Sequence, residues 1–326
     1  LYATLVPPQE RHYGIYGRGL SQMTDKIFVS MPAWEDTTIL ETIDKLLASA
    51  SKPDNIVFGF GFNYSGEEPD LSTLKNKYYV LRDKEDYGDN KSPGIIQVRN
   101  AIRRLMTDEA YYMSIDAHAN FDQGWDSQLI RDIKYLTVNG EKCIISKQLL
   151  QPEERRNHRT EWFLMQDGTP NGRPAPDFNF YGVRDKMVRE NYFLNYYTSG
   201  NFIFAKADWA TGIDFPDFHG FPYEEPELSL VTFCNGFDVV SPTGAVCPVH
   251  AGNDPKYIFP YDERYWELKG PDRNNPQHWE KIWVFDDGPM IMEARKLLLE
   301  GENKYFSLHG LERSVSEFYD TIGLNK

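Results

Sequence analysis

Two apolar runs with an amphipathic stretch between them frame the start of the chain. Lys26 to Ser30 (KIFVS) reads as a buried strand. Thr37 to Ala50 carries Ile39, Leu40, Ile43, Leu46 and Leu47 at helical spacing, Pro53-Asp54 marks a turn, and Asn55 to Phe62 (NIVFGFGF) is a second strand. Strand, helix and strand in this order predict a parallel pair joined by a right-handed crossover. In such sheets ligands sit beyond the carboxyl ends of the strands, so Ser30, the loop Met31 to Asp36 and Asn63 are expected on the ligand edge.

The pattern continues through residue 140. Lys77 to Leu81 is a third short strand, and Ser92-Pro93-Gly94 leads into a helix over Ile95 to Met106 with Ile95, Val98, Ile102 and Leu105 inward. Arg99 and Arg103 fall four apart on another face. A cation at the start of a helix beside the ligand edge suits a phosphate, and a surface salt bridge equally well. Tyr111 to Ile115 (YYMSI) is the next strand, and Asp116-Ala117-His118 follows at once. Residues two apart in extended backbone leave the same face, so Asp116 and His118 can converge on one cation. A carboxylate oxygen with an imidazole suits Mn²⁺ or a similar ion, which in turn could hold a diphosphate. Taken alone, the same pair also suits a turn-capping aspartate and a loop histidine. After the Gly124-Trp125 turn, a helix over Trp125 to Tyr135 is expected.

The second half is more irregular. Cys143 to Ser146 can be a strand, and Gln151 to Pro176 reads as a long polar excursion. Asn195 to Ala205 (NYYTSGNFIFA) restores a strand, with Gly200 permitting close backbone approach. Gly212 to Tyr223 is an aromatic loop, and Glu224-Glu225-Pro226-Glu227 precedes a helix from Leu228 to Asn235. Acids and a proline there also suit an ordinary first helical turn. Phe237 to Val240 and Ala245 to His250 read as strands, and His250 is a candidate third ligand for the ion. Helices are expected over Pro289 to Leu299 and Ser314 to Ile322, the latter opening with a Ser314/Glu317 capping box.

Composition narrows the partners. A net charge of −14 over 326 residues argues against broad capture of nucleic acid or of an anionic membrane. Arg103-Arg104 and Arg155-Arg156 with Arg159 are the candidate local basic faces, or simply solvated helix faces. Cys143, Cys234 and Cys247 are odd in number and form no C-x-x-C pair, which predicts reduced thiols in a cytoplasmic protein of a bacterium, a phage-infected host or a eukaryotic cytosol. No apolar stretch approaches membrane-spanning length. Residues 1–22 read as a leader, expression-derived or a native arm. Residues 23–326 read as a single domain, with about 26–140 its nucleotide half and 141–326 its acceptor half. Rings are abundant, with 20 Phe, 20 Tyr and 7 Trp, and in loops they either stack on sugars and bases or pin the loops down.

In this order the motifs resemble glycosyltransferase family 60, GT-A type enzymes that include the cytoplasmic hydroxyproline N-acetylglucosaminyltransferases. The resemblance runs from about Lys26 to Ile322. It rests on IFVSMPAWED, SPGIIQVRNA, YYMSIDAHANFDQGWDSQLI, GNFIF, EEPELSLVTFCNGFDVVSPTGAVCPVH and LHGLERSVSEFY. It implies an α/β, GT-A-like Rossmann-type mixed sheet flanked by helices, with a long loop-rich C-terminal acceptor region. It further implies that Asp116 and His118 bind a divalent ion completed by His250, Mn²⁺ first and Mg²⁺ second. Ser30 and Trp34 would lie at the nucleotide and Arg99 near the diphosphate, with Gly94 keeping the spacing of the family's helix and Asn63 on the same edge. Glu224 and Glu225 match the family's paired acids, and Gly200, Asn201, Phe218 and His219 are assigned to the acceptor side. The implied activity moves a sugar, with retention, from a nucleotide diphosphate donor to a hydroxyl of a protein or glycan. The chain departs from the family at Glu35 and at Pro226-Glu227, so the resemblance does not set the sugar. A hydroxymethylated or already glycosylated phage DNA base is the alternative acceptor. A non-catalytic sugar-nucleotide-binding protein is the alternative class, and a metal-dependent phosphodiesterase would need more carboxylates than these motifs supply.

Overall fold

A computed structural model of the chain describes residues 25–34, 36–64, 67–82, 95–146, 187–189, 192–213, 215, 224–242, 249–250 and 311–321. Its first half is β1 (Ile27–Trp34), α1 (Ile39–Ser49), β2 (Ile56–Asn63), β3 (Tyr78–Arg82), α2 (Ile95–Arg103), β4 (Tyr111–Ile115), β5 (Ala119–Asn120) and α3 (Trp125–Leu136). The second half adds β6 (Cys143–Ser146), β7 (Met187–Arg189), β8 (Tyr192–Asn195), β9 (Phe202–Lys206), α4 (Ala207–Gly212), α5 (Glu224–Cys234), β10 (Asp238–Pro242), β11 (Val249–His250) and α6 (Val315–Thr321). Nine strands form one mixed sheet in the order β3-β2-β1-β4-β9-β6-β10-β8-β7, and β11 pairs with β5 apart from it. Strands β3, β2, β1 and β4 are parallel, while β9 runs antiparallel to both β4 and β6. The α/β expectation holds.

Helices cover both faces. Ile39, Ile43 and Leu46 of α1 and Trp125, Leu129 and Ile133 of α3 pack with Ile27, Val29, Met31, Met113 and Ile115. On the other face Val98 and Ile102 of α2, Trp209 of α4 and Val231 of α5 pack with Phe28, Val57, Tyr112 and Ile144. Strand alternation puts Gly59, Ser30 and Ser114 on this second face, and they are aligned across β2, β1 and β4. Their small size lets chain segments settle close to the sheet. A Cβ on Gly59 would lie 2.5 Å from Phe28 and 2.6 Å from Ile102.

The signature FDQGWD does structural work between α1 and α3. Gly124 adopts a left-handed backbone, with φ of 76°, and donates its N–H to the Ser49 carbonyl at 2.7 Å. The Trp125 indole N–H bonds the Leu46 carbonyl at 3.0 Å. The buried Asp126 carboxylate accepts from the backbone N–H groups of Ser51 and Lys52 at 2.7 and 2.8 Å. These three residues therefore tie the end of α1 to the start of α3.

Several expectations are corrected. Strand β1 runs on through Trp34 where a loop over Met31 to Asp36 was expected, and Ser30 is therefore interior to the strand rather than at its end. Pro32 fits because pairing with β4 stops at Ser30, leaving β1 bonded there on the β2 side alone. The single strand expected over Asn195 to Ala205 is two, because Thr198-Ser199-Gly200-Asn201 is turn chemistry and breaks it. Helix α2 ends at Arg103, and Arg99 and Arg103 are both buried rather than lying on an outer face. Arg103 covers the buried Phe215 ring at 4.1 Å and donates to the Ile213 carbonyl, so it belongs to no basic surface. Phe215, in the loop expected from Gly212 to Tyr223, packs on Trp209 and belongs to the core. Helix α5 begins at Glu224, four residues earlier than expected, which puts the acidic run inside its first turn. The capping box at Ser314 and Glu317 is present with both reciprocal bonds. The excursion 151–176 with Arg155, Arg156 and Arg159, the 1–22 segment, Cys247 and the helix over 289–299 lie outside the described residues.

Candidate active site

The order of the sheet reverses at β1: the chain builds outward through β2 and β3 on one side and then returns to set β4 on the other. A crevice beyond the carboxyl ends of such strands is where doubly wound folds take ligands. Asp116 leaves the end of β4 there, and Asp36 follows the end of β1. Parity along β4 puts Asp116 on the Ser114 face, the side on which α2 packs. Its Oδ1 accepts from Arg99 Nη2 at 3.1 Å, and its Oδ2 lies 3.9 Å from His118 Nε2. On the far side of the ring, His118 Nδ1 is 2.9 Å from Asp36 Oδ2.

Electrostatics at this row are set by neighbours as much as by burial. Burial alone would pull the His118 pKa down, but the hydrogen bond to Asp36 and the charges of Asp116 and Asp36 outweigh it and hold it above its ordinary 6.5. For Asp36, burial acts upward and is overcome by the bonds to His118 and Thr38, so this carboxyl stays below the usual range.

The corner between β8 and β9 closes the other side. Ser146 Oγ accepts from the Ser199 N–H at 2.9 Å and donates to the Phe202 carbonyl at 2.8 Å, and Ser114 Oγ donates to the Gly200 carbonyl at 3.4 Å. These two serines of the sheet floor thereby fix the corner. It in turn holds Glu225 in the first turn of α5. Ser199 Oγ and the Gly200 N–H donate to Oε1 at 2.9 and 3.0 Å, and Tyr197 O–H donates to Oε2. Burial pushes the Glu225 carboxyl up to about 7, the Gly200 bond and the Arg99 charge oppose this, and Asp116 adds to it. Glu225 thus shares an electrostatic site with Arg99 and Asp116 although 109 residues separate Glu225 from Asp116 in sequence.

Arg99, Asp116, His118, Gly200 and Glu225 are brought together, and Asn201 belongs to the same corner, its side-chain oxygen 2.8 Å from Ser199 Oγ and sharing that hydroxyl's one proton with Glu225. Ser30 is fully buried, and among the described residues its hydroxyl has no hydrogen-bond partner. Trp34 and Asn63 end β1 and β2 as paired neighbours, which puts both on the crevice edge. Glu224 opens α5. Gly94, Phe218 and His219 lie outside the described residues. His250 pairs through its backbone with Ala119, the residue next to His118. Asp36 is the member that sequence reasoning missed. Its local signals are its place in the loop expected on the ligand edge and the turn it closes onto Thr38.

The donors fit a divalent cation. Two ligands each about 2.1 Å from a metal can lie up to about 4.2 Å apart, so the 3.9 Å between Asp116 Oδ2 and His118 Nε2 is bridgeable by one ion. Among the described residues no three His, Cys, Asp or Glu side chains converge as a complete metal group. His250 is placed by its strand pairing alone.

Residues 79–280 match the profile of the family described as Glycosyltransferase (GlcNAc), more than half of the chain's 326 residues. The chain belongs to that family. No curated protein matches the sequence significantly. Among solved structures the chain is similar to GalNAc-T7, solved with UDP, GalNAc and Mn²⁺, at a TM-score of 0.52 and 11% identity over 92% of this chain and 57% of that one. This likeness supports the α/β, GT-A-like fold. It is also similar to S. aureus TarS 1-349 in complex with UDP-GlcNAc, at 0.40 and 15% identity over 66% and 55%. The mannosyltransferase PcManGT from Pyrobaculum calidifontis, with GDP-Man and Mn²⁺, matches at 0.44 and 12% over 84% and 70%. These last two add nothing to the fold argument. The chain spans little more than half the length of the GalNAc-T7 and TarS 1-349 chains. No helix among the described residues is long and apolar enough to cross a membrane.

Proposed function

We propose that the transferase moves a sugar, in a metal-dependent and retaining reaction, from a uridine diphosphate donor to a hydroxyl on a protein or glycan in the cytoplasm, as the resemblance to the hydroxyproline enzymes of family 60 implies. The observation that carries the reading is the convergence of Arg99, Asp116, His118 and Glu225 at the reversal point of the sheet. Mn²⁺ in the GalNAc-T7 and PcManGT complexes supports the choice of metal, and N-acetylglucosamine as the sugar is supported by the description of the family. Cys143 and Cys234, buried free thiols, are in keeping with a reducing compartment.

Asp116, His118 and His250 would hold the divalent cation, which when bound neutralises charge on a leaving diphosphate. Arg99, fixed by Asp116, offers a second positive charge to the same diphosphate. As the bond from the sugar to the diphosphate lengthens, positive charge grows at the anomeric carbon, and a carboxylate nearby lowers its energy. Glu225 is held for that role by Tyr197, Ser199 and Gly200, and its pKa near 7 leaves it able to exchange a proton with an acceptor hydroxyl. Glu224 and Asn201 flank the acceptor side, while Trp34 and Asn63 edge the nucleotide side.

The test is turnover of a panel of nucleotide sugars with and without Mn²⁺, against a hydroxyproline peptide and a hydroxymethylated DNA duplex, with the anomer read by proton NMR. Retained configuration on peptide is expected. Transfer to duplex alone would move the acceptor to DNA, and binding without transfer or donor hydrolysis would make the protein a sugar-nucleotide binder.

A further inference from the structure

We propose that Asp36 is a positioning residue for His118, holding its imidazole as the Nδ1–H tautomer so that the Nε2 lone pair faces the cation position beside Asp116. The inference rests on the reading of Asp116 and His118 as metal ligands. A neutral imidazole binds metal through one nitrogen, and the bond made by the other nitrogen decides which. Here the two nitrogens are distinguished by geometry. Nδ1 is 2.9 Å from Asp36 Oδ2, and an ionised carboxylate only accepts, so the proton on that side belongs to Nδ1. Nε2 lies on the Asp116 side. The two side chains are only 14% and 11% exposed, so water competes poorly for the contact.

Asp36 is itself held from three directions. Its Oδ1 accepts from the Thr38 N–H at 2.8 Å and the Thr38 hydroxyl at 2.7 Å, and its backbone carbonyl accepts from Tyr64 O–H at 2.6 Å. The Thr38 hydroxyl also lies 3.3 Å from the Ala117 carbonyl, between Asp116 and His118. One carboxylate thus closes an Asx turn onto Thr38, just before α1, with one oxygen and orients a histidine 82 residues away with the other. The turn alone does not account for the second oxygen.

The substitution that separates the two roles is Asp36→Asn. Asparagine closes the same turn as aspartate, with its carbonyl oxygen toward Thr38. Its amide then faces Nδ1 as a donor and drives the ring proton to Nε2, against the metal. Two readouts apply. In metal-free protein above the pKa of His118, nitrogen NMR should show Nδ1–H in the wild type and Nε2–H in D36N, with the signal assigned by its loss in His118→Gln. In a Mn²⁺ titration followed by electron paramagnetic resonance, D36N should bind about 10- to 100-fold more weakly, with its helical circular dichroism retained. A wild-type Nε2–H tautomer overturns the proposal even if D36N fails to fold. Equal Mn²⁺ affinity of wild type and D36N overturns it while leaving the metal reading intact. A wild type that binds no Mn²⁺ overturns both.

Discussion

Replacing Glu225 by Gln isolates the buried acid of the site. Its carboxyl rises from an ordinary 4.5 to about 7 because burial disfavours the charged form. A folded-state pKa above the unfolded one means that the native protein binds the proton more tightly, so this contribution is full below about 4.5 and is lost as pH rises to about 7. At about 1.4 kcal/mol per pKa unit, the loss is about 3 kcal/mol. His118 acts in the same direction at higher pH, since its pKa is also raised, and the comparison must therefore be a difference between variants. Glutamine keeps an oxygen for Ser199 and Gly200 but does not titrate. Urea unfolding of metal-free wild type and E225Q from pH 4.5 to 8 should show E225Q gaining about 3 kcal/mol relative to wild type across that range. Curves that stay parallel would falsify the assignment of this acid to an enclosed site. Transfer by E225Q should fall by about 100-fold, the scale of a lost acid–base group.

Other perturbations test the frame and the ligands. Asp126→Ala removes the acceptor of two backbone N–H groups and should cost about 3 kcal/mol in urea unfolding with little change in Mn²⁺ affinity. Gly59→Ala forces a Cβ to 2.5 Å from Phe28 and should lower stability by about 1–3 kcal/mol. His250→Ala should raise the Mn²⁺ concentration needed for half-maximal rate and lower turnover together. Unchanged activity at limiting Mn²⁺ would remove it from the site.

What the sequence discloses divides along contact distance. Strand β4 with Asp116 and His118 after it, the strand-helix-strand order of β1, α1 and β2 and the Ser314/Glu317 box are written in local periodicity and capping chemistry. The extent of β1 was hidden by Pro32, because an edge ladder that ends at Ser30 is a tertiary fact. Arg99 and Arg103 read as lying off the apolar face of their helix, but the aspartate after β4, the Ile213 carbonyl and the Phe215 ring let both be buried. Asp36 reads only as the last residue of a ligand-edge loop until His118 arrives from 82 residues away. Glu225 reads as first-turn dipole chemistry until the Ser199-Gly200 corner closes on it. In the FDQGWD run, Gly124, Trp125 and Asp126 fasten helices, since all three meet α1 or the loop after it.

The most direct test of the central claim, a cation-dependent donor site at Asp116 and His118, is calorimetric titration of UDP-N-acetylglucosamine into the protein with Mn²⁺ and then with chelator, repeated on Asp116→Asn. The account predicts binding with Mn²⁺, its loss with chelator, and at least a tenfold weaker affinity in D116N. Donor binding of equal strength in all three would contradict it.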